Sequence, residues 1–307
     1  MVSARTLRLE ELTGEELDSL DCETTLFLVY LSPLEVHGPH LPFGTDVFVA
    51  REVGARAIER LVSERPDLTF VELPPYFFGS DPIPRSVEID SRAVFLLLFG
   101  TARSLATRGF RYLLLLDNHG GPRHQIATAK AVRSAYRAHR FHIIAPFLAF
   151  YRRMIELDPE LTRRLNAGAG AVGDASDCHA GRNETSLMLA CSPHRVRPVF
   201  STLARTTIDT NTLVYRVASG AARLASALGA RELGKDLLYA ATMLSWVLSP
   251  DPPTYIGEPR LASPEAGNAM LDLFAEEAVA HAVRALEGQP PYHTPIGWTL
   301  RFIERSR

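Results

Sequence analysis

Several features that would assign this chain to a special class are missing. Cysteine is scarce: Cys22, Cys178 and Cys191 are the only three in 307 residues. That is too few for a disulfide framework and points to a reducing compartment. Neither sign of charge is in excess, since 33 Lys and Arg stand against 35 Asp and Glu, for a formal net charge of −2. Nothing in that balance calls for nucleic acid or an anionic membrane as a partner. Long apolar runs are also lacking: Val94–Phe99 and Leu113–Leu116 fall far short of the roughly 20 residues a membrane-spanning helix needs. Met1–Leu20 carries charge throughout, without the apolar core of a signal peptide. The expectation is a cytoplasmic protein. No linker-like composition and no internal repeat interrupts the chain, so residues 1–307 read as a single domain. Its 46% hydrophobic content is enough for a large core.

What is present is an alternation of two periodicities. Leu26–Leu31, Thr69–Leu73, Tyr112–Asp117 and Phe141–Ala145 are short apolar or β-branched runs, and they read as strands. The nearly unbroken leucines of the third suit a parallel strand buried on both faces. Between them, Val47–Ser63, Ser91–Thr107 (with Ser91 as N-cap) and Gly121–His139 have apolar residues at helical spacing. This βαβαβαβ rhythm predicts a three-layer α/β/α fold with a mostly parallel central sheet. Phe147–Gly173 is irregular and reads as a lid or inserted segment, around 147–175. Arg182–Cys191 should be a helix, and so should Leu213–Leu228, Glu232–Val247 and Pro264–Glu287, read as packing and assembly surface.

The stretch most loaded with chemistry is Leu31–Asp46, in a strand-to-helix loop where α/β proteins keep their sites. Glu35 and His37, two apart at a strand tip, project to one side. With Asp46 they make a set of hard oxygen and borderline nitrogen donors suited to Zn²⁺ or Mn²⁺. The plainer alternative makes Asp46 a helix cap. His40 reads as a packed loop histidine, and Cys178, beside His179, as a small filler and not a nucleophile.

Glu35–Asp46 resembles the Glu-x-His-Gly-x-His-Leu-Pro-x-Gly-Thr-Asp signature of the creatininase family. Asn118-His119-Gly120-Gly121 is similar to that family's Asn-Gly-His-Gly-Gly-Asn motif. His179–Ser186 resembles its His-Ala-Gly-x-x-Glu-Thr-Ser block, and Gly257-Glu258-Pro259 with Ala262 and Gly267 its C-terminal segment. The resemblance implies an amidohydrolase with two divalent metal ions, Zn²⁺ first and Mn²⁺ or Fe²⁺ next, usually assembled as a homo-oligomer, often a hexamer. Asp46 would bridge the ions, Glu35 and His119 would hold one, and His37 with a second carboxylate the other. In the best-known creatininases that carboxylate follows the histidine matching His119. Gly121 stands there in this chain, so Glu184 is the candidate, as ligand and catalytic group. A bridging hydroxide would attack the carbonyl of a linear or cyclic amide in a small molecule and so break its C–N bond, with His179 shuttling the proton.

Departures from the pattern bear on substrate. The only tryptophans, Trp246 and Trp298, lie outside the segment before His179 where creatinine-acting members carry theirs, and Asp174, Ser176 and Asp177 stand there instead. Creatinine is therefore not the expected substrate. The loop Gly79–Glu88 lacks the histidine and Gly-Thr of many relatives; Asp81, Arg85 and Asp177 are the candidate substrate-binding residues. Asp117 replaces a glycine, and Pro122-Arg123-His124 replaces an asparagine; His124 reads as a helix-surface residue. The alternatives kept beside the small-molecule amidohydrolase are a peptidase of the mycofactocin-maturation type, a biosynthetic member forming or cyclising amides, and a scaffold without chemistry.

Overall fold

The structure, a computed structural model, describes residues 6–166 and 177–302. Strands β1 (Thr6–Arg8), β2 (Thr25–Tyr30), β3 (Thr69–Glu72), β4 (Tyr112–Leu116) and β5 (His142–Ile144) form one sheet in the order β1-β3-β2-β4-β5. Every strand pair is parallel, and Leu26 lies opposite Tyr112 where β2 meets β4 at the centre. The helices are α1 (Gly14–Asp18), α2 (Thr45–Glu64), α3 (Ser91–Ala106), α4 (Pro122–His139), α5 (Phe147–Ile155), α6 (Pro159–Asn166), α7 (Arg182–Cys191), α8 (Leu213–Ala227), α9 (Arg231–Val247) and α10 (Pro264–Leu286).

Because side chains alternate along a strand, each central strand feeds two cores. Leu26, Leu28 and Tyr30 of β2 face one core with α2, α7 and α10, while Phe27, Val29 and Leu31 face a second with α3 and α4. The expected three-layer α/β/α architecture is what forms. Two elements differ from expectation. β1 pairs with β3 and is itself the edge strand, and its short TLR sequence carries no strand signal. α10 is a core helix and not an outer surface. Its Gly267 lies so close to α7 that a Cβ there would stand 1.9 Å from the Ser186 carbonyl oxygen, a crossing only glycine permits.

Local boundaries follow local chemistry. The cap of α3 is Asp90, not Ser91: Asp90 has extended backbone, and its carboxylate accepts the Arg92 N–H at 2.7 Å. The irregular segment after β5 is two helices as far as Asn166; Phe150 stacks on Phe274 of α10 and Phe147 packs against the same ring at a tilt. Those residues are part of the core. The rest of the expected lid, with Asp174 and Ser176, lies outside the described residues. No helix among the described residues is long and apolar enough to cross a membrane.

One buried histidine gives the fold an acid sensitivity. His142 of β5 sits between the rings of Tyr112 and Tyr136, its Nδ1 without a partner, and burial pulls it down to about 4 from 6.5. Above pH 6.5 the ring is neutral whether folded or not. Between 6.5 and 4 only the unfolded chain takes the proton, so stability falls as pH drops through that window. The melting temperature of His142→Phe is expected to fall less steeply from pH 7 to 4 than that of the unsubstituted protein. Equal slopes would show that this ring does not contribute.

Candidate metal centre

All five strands run the same way, so the segments leaving β2, β3 and β4 emerge at one edge. The first, after β2, is a tight fold-back. His37 bridges Leu41, Gly38 adopts φ +67°, and the Glu35 N–H donates to the Phe43 carbonyl at 3.0 Å. Glu35 and His37 are both buried there. Asp46, in the first turn of α2, is not the cap; that position is Gly44. Its buried carboxylate accepts the Asn118 Nδ2–H at 3.1 Å.

These side chains meet with His119 from the β4 loop and Glu184 from the first turn of α7 in two triads sharing Asp46. Glu35, Asp46 and His119 form one, and His37, Asp46 and Glu184 the other; within each, the donor atoms lie within 4.8 Å of one another. Asp46 Oδ2 is 3.8 Å from His119 Nδ1, and Oδ1 is 3.6 Å from His37 Nε2, so the two oxygens face different triads. Glu184 Oε2 is 3.5 Å from His37 Nε2. All five residues proposed from sequence as metal ligands are thus brought together.

The histidines are oriented by backbone. The His119 Nε2–H donates to the Ser80 carbonyl (2.9 Å), the His37 Nδ1–H to the Glu35 carbonyl (2.9 Å), and the His179 Nε2–H to the Val36 carbonyl (2.8 Å). A carbonyl only accepts, so each contact places a proton on that nitrogen and turns the other toward the carboxylates. Three of the inward atoms, Glu35 Oε2, His37 Nε2 and Asp46 Oδ2, are buried without a hydrogen-bond partner. Glu35 Oε2 does lie 2.8 Å from His119 Nδ1, but without hydrogen-bond alignment. Buried, orphaned donors of this kind, N and O in a carboxylate-rich set, fit divalent cations.

The electrostatics agree. Burial opposes charge on His37, yet the Asp46 and Glu184 carboxylates raise it to about 10; Glu35 does the same for His119, also to about 10. Burial pushes Glu35 up, but His119 and His179 hold it below the usual carboxylate range. Burial lifts Glu184 to about 8 against the opposing pull of His37, and holds His179 down at about 4. The site demands positive charge, and a cation entering it would displace protons.

Of the expected substrate-binding residues, Asp81 and Arg85 line a cleft of about 700 Å³ that also exposes Glu35, His119, His179 and Glu184. Asp177 does not line this cleft: its carboxylate caps α7, accepting the N–H groups of Arg182 (2.7 Å) and Asn183 (3.0 Å). Cys178 is a filler, its thiol pushed up to about 12 by burial. His40 is packed as expected, its Nε2 2.8 Å from Thr185 Oγ1.

His124 differs from expectation: it is fully buried, its Nε2 3.2 Å from Asp117 Oδ2. Trp246 was set aside by its sequence position, but α9 brings its ring to 5.1 Å from that of His179. Tyr151 and Tyr239, which had no sequence signal, also stand on the cleft wall. Tyr239 donates to the Gly120 carbonyl at 2.8 Å and lies 3.1 Å from the Tyr151 hydroxyl.

Fold and site together define a parallel α/β protein with a paired carboxylate–imidazole centre at its strand ends. The profile of the creatininase family (creatinine amidohydrolase) matches residues 10–282, and the chain belongs to that hydrolytic family. Among solved structures, it is similar to a creatininase titled as the Mn form, with TM-score 0.61 and 20% identity over 92% of this chain and 98% of that one. It is similar also to a putative creatinine amidohydrolase from Bacteroides fragilis, with TM-score 0.60 and 19% identity over 92% and 96%. Two curated relatives are named mycofactocin precursor peptide peptidase. The Mycolicibacterium smegmatis protein is 29% identical over 192 residues, covering 60% of this chain and 64% of the relative. The Mycobacterium ulcerans protein is 31% identical over 178 residues, covering 55% and 59%. The chain thus spans about three-fifths of the length of these relatives.

Proposed function

We propose that this chain is a dinuclear metal-dependent hydrolase of peptide-type C–N bonds. The observation that carries the reading is the pair of triads sharing Asp46 at a cleft of about 700 Å³. That cleft is within the roughly 300–1,000 Å³ that holds extended ligands; a ring the size of creatinine would leave most of it to water. The names of the curated relatives favour the same choice over a small cyclic amide.

Glu35 and His119 with Asp46 would hold one ion, and His37 and Glu184 with Asp46 the other, Zn²⁺ suiting the donors best and Mn²⁺ next. Bound there, divalent ions would supply polarisation of the scissile carbonyl and acidification of water.

The chain's own groups do the rest. His179 Nδ1, 3.6 Å from Glu35 and 4.0 Å from Glu184, carries the lone pair and takes and returns the proton that the departing amine needs. On the cleft wall, the Gly120 carbonyl only accepts. Tyr239 must therefore donate to it, and the Tyr151 proton goes to Tyr239. The Tyr151 oxygen then presents lone pairs suited to a substrate N–H. Arg85 and Arg123 stand on the rim, each already beside an acid: Arg85 is 3.5 Å from Asp251, and Arg123 is 3.7 Å from both Asp81 and Glu88.

An exposed apolar stripe formed by Leu213, Val217 and Leu224 of α8 and by Leu228, its C-cap residue, supports assembly as a homo-oligomer.

The test is a panel of short peptides against creatinine and other small cyclic amides, read as amine release by zinc- or manganese-loaded protein. We expect kcat/KM for the best peptide to exceed that for any cyclic amide by more than about 100-fold, a gap of about 2.7 kcal/mol in transition-state binding. Equal or reversed preference would return the protein to small-amide chemistry.

A further inference from the structure

Three places where the chain departs from the creatininase pattern touch one another behind His119: Asp117 and His124, which are close in sequence, and the Gly79–Ser80 loop, with Ser80 44 positions before His124. Asp117 Oδ1 accepts the Ser32 Oγ–H at 2.6 Å and the His119 backbone N–H at 3.0 Å. Its Oδ2 lies 3.2 Å from His124 Nε2. On the far side of the His124 ring, the Ser80 N–H points at Nδ1, 3.4 Å away. The Ser80 carbonyl, in turn, is the acceptor that orients His119 Nε2–H.

A backbone N–H only donates, so His124 Nδ1 carries a lone pair. The ring proton is then on Nε2, facing the Asp117 carboxylate. Asp117, His124, Ser80 and Ser32 are all buried. Burial strengthens these contacts, although His124 Nε2 faces Asp117 at ion-pair distance without hydrogen-bond alignment and Ser80 Oγ is unpartnered. Close approach of the loop depends on Gly79, where a Cβ would stand 2.7 Å from Pro33 Cδ and 2.9 Å from His124 Nδ1.

We infer that Asp117 and His124 are positioning residues that aim His119 at its ion through the Ser80 peptide. Asp117 fixes the His119 backbone directly. His124 fixes the Ser80 peptide, and that peptide fixes the imidazole. The His124–Ser80 arm of the relay touches one triad only: His37 is oriented by the Glu35 carbonyl and Glu184 by the Ala180 N–H, neither of which contacts His124. Asp117 reaches further, since Ser32 Oγ also accepts the Asn118 N–H at 3.3 Å and Asn118 holds the shared Asp46, so the test is made at His124. Weakening the relay there should therefore weaken one ion and spare the other. A general loss of packing would affect both. The inference rests on the dinuclear reading above.

The experiment uses the full ion-free chain titrated with zinc alone, reading stoichiometry and both affinities, together with the melting temperature. His124→Asn keeps an acceptor close to the place of Nδ1, and His124→Gln keeps an amide close to the place of Nε2 while facing the Ser80 N–H with a methylene. We expect the unsubstituted protein to take two ions. In His124→Gln, one ion should weaken by about 10- to 100-fold, the usual range for groups behind a metal ligand, and the other should change less than threefold. His124→Asn should retain both affinities within threefold.

The relay through Ser80 is overturned if His124→Gln binds both ions as the unsubstituted protein does, or if both variants lose both ions in parallel with their melting temperature. It is overturned also if Asn and Gln weaken one ion equally. An unsubstituted protein that takes no zinc would sink the dinuclear function and this inference together. Two ions bound normally in every variant would sink the inference alone.

Discussion

Asp46→Ala is expected to give a folded chain that has lost both ions and its hydrolytic activity together. Asp46 alone offers an oxygen to each triad, with Oδ1 toward His37 and Oδ2 toward His119. Its removal leaves each half-site with two donors and takes a negative charge from between two imidazoles that require it. The affinity loss should exceed the roughly 100-fold upper value for groups that only support a ligand, and should apply to both ions. Folding should survive, because Asp46 caps nothing and makes one side-chain hydrogen bond, to Asn118. Glu184→Gln is the contrast: Glu184 belongs to one triad, so one ion should be lost and the other kept. Zinc and manganese titrations of the two variants by calorimetry read this directly. A replete, active Asp46→Ala would remove the shared-carboxylate arrangement, and unchanged stoichiometry in Glu184→Gln would make that residue structural.

His179→Gln should separate chemistry from metal binding. The glutamine amide can keep the hydrogen bond to the Val36 carbonyl that His179 Nε2 makes, while the lone pair at Nδ1 disappears. We expect two ions still bound, a melting temperature close to that of the unsubstituted protein, and turnover lowered by about 10²- to 10⁴-fold, the usual contribution of a general base and acid. His179 also stands within 4.8 Å of Glu35 and His37 donor atoms, in a group that could itself hold a cation. Loss of an ion in this variant would move His179 from proton carrier to ligand. The Ile256 N–H, which donates to the His179 carbonyl at 2.7 Å, ties this histidine to the Gly257-Glu258-Pro259 stretch. At Gly257 itself, where φ is +120°, a Cβ would crowd the Asp177 carboxylate that holds the start of α7.

Much of this protein could be read from its residues in order, and the reasons are local. A run such as Tyr112–Leu116 is apolar at every position because both faces of a parallel strand are covered, and helical spacing in Thr45–Glu64 marks the face that packs on it. Glu35, His37 and Asp46 lie within twelve positions, so a strand tip and the next helix turn bring them together almost regardless of the rest. What composition and spacing could not show was contact between distant segments. Burial of His124 depends on Asp117 and on the Gly79–Ser80 loop; one helix considered alone makes it a surface residue. Trp246, Tyr151 and Tyr239 enter the cleft because α5 and α9 are laid beside the strand ends, and no periodicity within those helices marks the residue that will face a site. Asp177, an acid near the active histidine in sequence, is turned away because the amides opening α7 attract its carboxylate more directly than the cleft does. The order of residues thus determined the layers and the donors, since those follow from periodicity and from side-chain type. The packing of one segment on another decided which donors face which ion and what surrounds them, because three-dimensional distance is not written in separation along the chain.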